Sequence, residues 1–228
     1  MKVAIIGANS DVAQAAIPLF LEKGCEVIAF AHKPEELSKL NCEVKTLNVR
    51  NLDLAVFDAY EPDVVVFTAG RLGENAPLSN PILTDEILEV NFTALVSIVN
   101  YFAQQFKEKK KGVIVGVSSV AALRGKSSSV VYSAAKAGWD SYLAGMRNYL
   151  YKDQVRVVTI RPGYIDTKMI KEFKLNPLLT ASAEQVATKI VKHSLSGNRN
   201  VVFVKAIWRP IMCIVTSIPE RLFKRMSL

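Results

Sequence analysis

Only three cysteines and two histidines occur among the 228 residues of this chain. Cys25, Cys42 and Cys213 are odd in number, widely spaced and without a C-x-x-C pair. That argues against a disulfide framework and for a reducing compartment. His32 and His193 stand far apart and lack partners at ligand spacing, so no metal site is expected. Met1 and Lys2 lead at once into an apolar run, leaving no room for the charged, apolar and small-residue regions of a secretory signal, and a cytoplasmic protein is expected. No Pro/Gly/Ser-rich linker, low-complexity segment or fixed-period repeat interrupts the chain. One domain is therefore expected, and with 50% of residues apolar it can bury a large core. The net charge of +8 is not gathered into a nucleic-acid module: the densest basic run, KEKKKG at 107–112, ends a helical pattern, where cations complement the dipole. No nucleic-acid partner is expected.

What is present is alternation. Apolar, β-branched runs recur near 2–6, 25–31, 44–49, 63–67, 112–118, 154–160 and 200–204, with helical patterns between them. Strands that are apolar throughout and separated by helices make a parallel sheet covered on both faces. The expected fold is α/β, a doubly wound parallel sheet of seven strands, spanning 1–205, with an apolar and basic tail at 206–228. The first apolar run is followed by GANSDVAQAAIPLFLEKG, which reads as strand, tight turn, helix. Such a turn aims backbone N–H groups and the positive helix end at a diphosphate, and Gly7 tolerates any φ and lets phosphates approach. An ordinary first βα unit carries the same pattern.

Tyr132 and Lys136 stand four residues apart in SSVVYSAAKAG, with Ser119 thirteen residues upstream in VIVGVSS. A helix puts residues i and i+4 on one face, so the Lys136 ammonium favours the ionised phenol and brings a group with a pKa near 10 towards the working range. Y-x-x-x-K alone is common on solvated helix faces; its position in the chain gives it weight.

In the order of these elements the chain resembles the short-chain dehydrogenase/reductase family. Its cofactor signature is T-G-x-x-x-G-x-G, and its catalytic signature is Y-x-x-x-K after a strand ending in Ser. The resemblance runs from residue 1 to about 204. Asn91 in EVNFTA is similar to the family's helix asparagine, TAG at 68–70 to its N-N-A-G, and RPGYIDT at 161–167 to its P-G-x-x-x-T; Ser119, Tyr132 and Lys136 keep its order and spacing. The resemblance implies a Rossmann-like fold and hydride transfer between a nicotinamide cofactor and a carbonyl. It implies four catalytic residues. Tyr132 donates the proton, Ser119 positions the carbonyl oxygen, and Lys136 lowers the phenol's pKa and holds the nicotinamide ribose. Asn91 holds a water that leads from Lys136 to solvent. Cofactor contacts are implied for Gly7, Asn9, Ser10, Val12, Asn48, Val49, Ala69, Gly70, Tyr132, Lys136, Pro162, Gly163, Ile165 and Thr167, the last at the carboxamide.

The glycine loop departs from the family pattern, with Asp11 and Ala13 at its second and third glycines. Asp11 is read as turned away from the phosphates, with Ser10 offering them a hydroxyl. Thr68 replaces the first asparagine, and Asn48 stands where an aspartate usually reads the adenine. After the second strand, His32 and Lys33 occupy the place where an NAD-specific fold puts an acid on the ribose 2′-hydroxyl, so NADP(H) is favoured over NAD(H).

The tail, AIWRPIMCIVTSIPERLFKRMSL, has an apolar part at 207–218 that is too short to span a bilayer and contains Arg209 and Pro210. Trp208, Met212, Ile214, Val215, Leu222 and Phe223, flanked by Arg209, Arg221, Lys224 and Arg225, fit either a segment resting on the inner face of a membrane or a helix capping the substrate cleft or a subunit partner. The tail also resembles that of short-chain reductases acting on lipid-linked keto sugars. The cleft itself is expected from segments near 71–82, 121–131 and 164–179. The resemblance implies a homo-oligomer through the small-residue face Ala134, Ala135, Ala137 and Gly138, which equally suits packing on the sheet. The reading is an NADPH-dependent reductase of a small-molecule or lipid-linked carbonyl compound. The alternatives are a cofactor-binding regulatory or assembly protein without turnover and an NAD-linked alcohol dehydrogenase.

Overall fold

The computed structural model describes residues 1–73, 80–168 and 176–226. Its strands are β1 (Lys2–Ile6), β2 (Glu26–Ala31), β3 (Glu43–Thr46), β4 (Val64–Phe67), β5 (Gly112–Val117), β6 (Val155–Arg161), β7 (Tyr164–Asp166), β8 (Thr180–Ser182) and β9 (Val201–Phe203). Seven of them form one parallel sheet in the order β3-β2-β1-β4-β5-β6-β9, and β7 pairs with β8 apart from it. The seven-stranded sheet is the one expected. The β7–β8 pair is not among the expected strands, and the run expected at 44–49 stops at Thr46. Asn48 ends it, its Oδ1 accepting from Arg50 N at 3.1 Å and turning the chain.

Successive side chains of a strand point to opposite faces, and here both faces are covered. Val3 and Ile5 of β1 join a core with Ile17 and Phe20 of α1 (Asp11–Glu22) and Ile190 of α5 (Ala183–Leu195). Ala4 and Ile6 join the opposite core with Phe102 of α3 (Ala94–Lys109) and Trp139 of α4 (Val130–Tyr149). Short α2 (Pro81–Leu88) enters α3 through a widened turn at Glu89–Thr93. The tail folds into α6 (Trp208–Ser217) and α7 (Glu220–Phe223). No helix of the described residues is long and apolar enough to cross a membrane.

Two features seat α4, the helix carrying Tyr132 and Lys136. Gly116 of β5 has no side chain where one would lie 2.4 Å from Leu143 Cδ1 and 2.9 Å from Trp139 Cζ2, so the helix packs directly on the strand. Arg161 at the end of β6 grips Asp140 with two bonds of 2.9 and 2.5 Å. The strand order reverses between β1 and β4, and a crevice opens there beyond the C-terminal strand ends, the usual ligand site of such sheets.

Candidate active site

The crevice is a cavity of about 1040 Å³. Ser119, just past β5, and Tyr132 and Lys136 line it together. Ser119 Oγ accepts from Ala121 N at 3.1 Å, which fixes its position, and it hydrogen-bonds the Tyr132 phenol. Burial pushes the Tyr132 pKa up, and the Ser119 bond pulls against that rise. Lys136 is 3% exposed. Its Nζ lies 5.8 Å from the Tyr132 ring centre and donates to Val117 O at 3.2 Å. Burial lowers its pKa to about 8. The phenol therefore moves opposite to the direction expected from the i, i+4 placement, because desolvation of a phenolate outweighs an ammonium aimed at Val117 O.

Among the described residues Val117 O is the one hydrogen-bond acceptor that Lys136 reaches, so a buried three-donor group keeps donors for a ligand. Gly70 keeps the approach to it open: a Cβ there would lie 3.5 Å from Lys136 Nζ and 3.2 Å from Asn91 Oδ1. Asn91 is fully buried in the widened turn and is not part of the cavity wall. Its Nδ2 donates to Arg71 O and Ile87 O, both at 2.8 Å, and its Oδ1 accepts from Arg71 N at 3.2 Å. With both amide protons used, the side chain clamps the chain after β4. The water that the resemblance gives to Asn91 would need its remaining acceptor capacity or its backbone.

At the N-terminal turn Gly7 has φ +86°, and a Cβ would sit 2.4 Å from Ala69 N. The glycine is required by its neighbour as well as by its dihedral. Thr68 Oγ1 ties the two strand ends together, donating to Ile6 O and Gly7 O at 3.0 Å each. Ser10 caps α1 by accepting from Ala13 N at 3.1 Å and keeps its proton for an anion at the helix start. Asn9 is spent on the chain after β2, with bonds to Lys33 N (3.0 Å), Lys33 O (2.8 Å) and Glu36 Oε2 (3.2 Å). Asp11 reaches across to the segment after β7, its Oδ2 accepting from Lys168 N at 2.8 Å and its Oδ1 lying 3.7 Å from Lys168 Nζ.

Of the residues expected to form the site, Gly7, Asn9, Ser10, Val12, His32, Asn48, Val49, Ala69, Gly70, Ser119, Tyr132, Lys136, Pro162, Gly163, Ile165 and Thr167 all line the cavity. Lys33 and Asn91 do not. Lys33 Nζ lies 3.5 Å from Glu36 Oε1, so its charge is already partnered. The cleft segments expected at 71–82, 121–131 and 164–179 all reach the cavity, the first through Arg71 and Leu72, the second through Ala121, Arg124, Lys126, Ser128 and Ser129, and the third through Tyr164, Ile165, Thr167, Lys168 and Leu179, while 74–79 and 169–175 lie outside the described residues. The sequence reading missed Arg50, and it placed Arg71 in the cleft without a role. Both line the cavity, and Glu86 of α2 bridges them at 2.7 and 2.6 Å. Isolated arginines and a distant glutamate carry no spacing signal.

The tail closes one side of the cavity with Trp208, Ile211, Met212, Val215 and Phe223. Its other face leaves Ile214 68% and Leu222 56% exposed.

The chain matches the short chain dehydrogenase family over residues 1–177 and belongs to it. It is a short-chain NAD(P)-dependent oxidoreductase. An uncharacterized oxidoreductase of Streptomyces coelicolor is 27% identical over 97% of this chain and 94% of that protein. A serine 3-dehydrogenase of Agrobacterium fabrum is 29% identical over 73% of this chain and 72% of that one. A short chain dehydrogenase of Burkholderia cenocepacia, solved in complex with NADP, superposes with a TM-score of 0.83 at 23% identity, over 98% of this chain and 96% of the other, and shares the fold.

Proposed function

We propose that the protein reduces an uncharged carbonyl compound with NADPH and that Tyr132 supplies the proton. One observation carries this reading: a buried Lys136 with unspent donors stands beside a Ser119–Tyr132 pair whose phenol is held protonated. A phenol that is protonated at neutral pH can give its proton to the oxygen of a carbonyl compound as that oxygen gains negative charge. The residues fit a nicotinamide cofactor. Gly7, Ser10, Val12 and the start of α1 would hold its diphosphate; Asn48, Val49, Ala69 and Gly70 would flank its adenosine half; Pro162, Gly163, Ile165 and Thr167 would face its nicotinamide. His32, with no acid beside it in the cavity wall, favours the 2′-phosphate, and the partnered Lys33 is left a minor part.

When bound, the cofactor supplies the hydride. Ser119 Oγ orients the carbonyl oxygen, and Tyr132 Oη gives that oxygen its proton as negative charge develops there. Lys136 stabilises the phenolate left behind and offers its free donors to ribose hydroxyls. Asp140 and Arg161 act at a distance, fixing α4 against the segment that enters Pro162 and Gly163. The relative named for serine is a poor guide to the substrate. Asp11 is the one carboxylate in the described cavity wall and is engaged with Lys168, which leaves no partner for an amino acid's ammonium group.

The test compares wild type with Tyr132→Phe, which removes one hydroxyl. Carbonyl-dependent NADPH oxidation should fall by about 10² to 10⁴, the range for a lost positioned acid, while NADPH still binds, and more tightly than NADH. Full turnover by the variant would reject the assignment. A wild type that binds NADPH yet turns over no carbonyl compound would favour the regulatory reading.

A further inference from the structure

We infer that α6 and α7 form the specificity wall of the active site and select carbonyl compounds with a bulky, uncharged, apolar body. This rests on the reductase reading above and extends it to the substrate's chemistry. The wall is anchored to the catalytic half of the fold rather than laid loosely over it. Trp208 lies on Gly163: a Cβ at that glycine would fall 1.8 Å from the indole Nε1, so the bare backbone of the P-G turn is what admits the ring. The indole N–H donates to Leu179 O at 2.9 Å, and its ring meets Tyr164 edge-on at 5.8 Å. Further along, Arg124 holds the tail down. Its Nη2 pairs with Glu220 at 2.7 Å, its Nη1 donates to Thr216 O at 3.3 Å, and its guanidinium stacks on Phe223 at 4.1 Å.

The chemistry of the space so enclosed is one-sided. Ile211, Met212 and Val215 line the cavity from α6, and Leu72, Val90 and Val120 add further apolar groups to its wall. Of the cations in the cavity wall, Arg124 is the latch just described, and Lys126 lies over the Tyr164 ring at 5.6 Å. Asp11, the one carboxylate of the described cavity wall, is bound to Lys168. A cationic substrate group would be desolvated here without a free carboxylate, whereas each apolar group brought against the wall leaves water.

The experiment uses full-length protein, NADPH and methyl n-alkyl ketones from butanone to undecanone. Wild-type kcat/KM should climb about three- to fourfold per added methylene until the wall is covered. Met212→Ala should flatten that climb, with a loss that grows with ketone length to about tenfold or more at undecanone. Arg124→Glu should raise KM for the long ketones with little change in kcat, and combining it with Glu220→Arg should restore KM, a rescue that a general structural role would not give. Equal kcat/KM along the series, preference for butanone, or an unaltered climb in Met212→Ala would overturn the inference. Thermal shift of the NADPH-loaded protein separates the two readings. If no ketone is turned over but the melting temperature still rises with ketone length, the wall stands and the reductase reading falls; if turnover occurs without dependence on length in either measurement, the wall falls and the reductase reading stands.

Discussion

The two ends of the cavity keep to the family pattern unequally. Where Ser119, Tyr132 and Lys136 meet, the pattern is complete; at the N-terminal turn two of three glycines are replaced, by Asp11 and Ala13. The difference follows from which atoms do the chemistry. A proton donor, its hydrogen-bond partner and a buried ammonium are side-chain functions, and no other residue types supply them in this geometry. A diphosphate site at a helix start is made of backbone N–H groups, which many side chains permit. Gly7 alone has positive φ in the turn, while Asp11 and Ala13 lie in the first turn of α1 with ordinary backbone conformation. Ala13 is fully buried and its methyl belongs to the core on that side of the sheet.

The contrast predicts that the one remaining glycine is indispensable. Gly7→Ala would combine a left-handed backbone, about 1–2 kcal/mol, with overlap against the Ala69 backbone, about 1–3 kcal/mol more. Urea unfolding should show the sum, and cofactor affinity should fall with it. A variant as stable as wild type would mean that the turn can relax and that its geometry is not what binds.

At the other end the prediction has the opposite sign for stability. Lowering the Lys136 pKa from 10.5 to about 8 by burial corresponds to roughly 3 kcal/mol that the buried cation costs the fold at neutral pH. Lys136→Met should therefore stabilise the protein by that order while abolishing turnover. The sign can be checked through pH. Below about pH 8 the lysine is charged in both states and the full cost is present; as pH rises from 8 to 10.5 the folded state has lost the proton that the unfolded state still holds, and the cost disappears. The advantage of Lys136→Met should shrink over that window. An advantage that is absent at pH 7, or constant to pH 10.5, would show that the ammonium is solvated rather than buried.

Much of this molecule was legible in its sequence because the determinants are local. The strands of the main sheet announce themselves as short β-branched runs, since both faces are buried, and the residues proposed for catalysis through fixed spacing on α4 and after β5. The β7–β8 pair was illegible: Tyr164–Asp166 and Thr180–Ser182 are three residues each, and Thr-Ala-Ser carries no apolar run. Residue types also say nothing of their partners. Only the structure shows Glu36 beside Lys33 and Trp208 packed on Gly163. Gly163 itself was assigned to the cofactor because the motif contains it, whereas its bare backbone also serves the indole.

The smallest effect tests the comparison most sharply, because it asks whether the altered turn is a defect or a device. Asp11 places a carboxylate in the first turn of α1, where the cofactor's diphosphate would also lie, and its charge is only partly met by Lys168 Nζ at 3.7 Å. Asp11→Asn keeps an acceptor for Lys168 N and removes the charge alone. If the carboxylate only repels the phosphates, the variant should bind NADPH about three- to tenfold more tightly at low salt, and the gain should fade towards 0.15 M salt, where the Debye length is about 8 Å. It should also lose about 0.3–1 kcal/mol of stability, because an acid favours the helix N-terminus. Calorimetric titration at two salt concentrations, with thermal unfolding alongside, reads both quantities. Weaker binding in Asp11→Asn would reverse the interpretation: the carboxylate would then be serving the cofactor by holding Lys168 at the cleft, and the replaced glycine would be a gain of the turn rather than a loss.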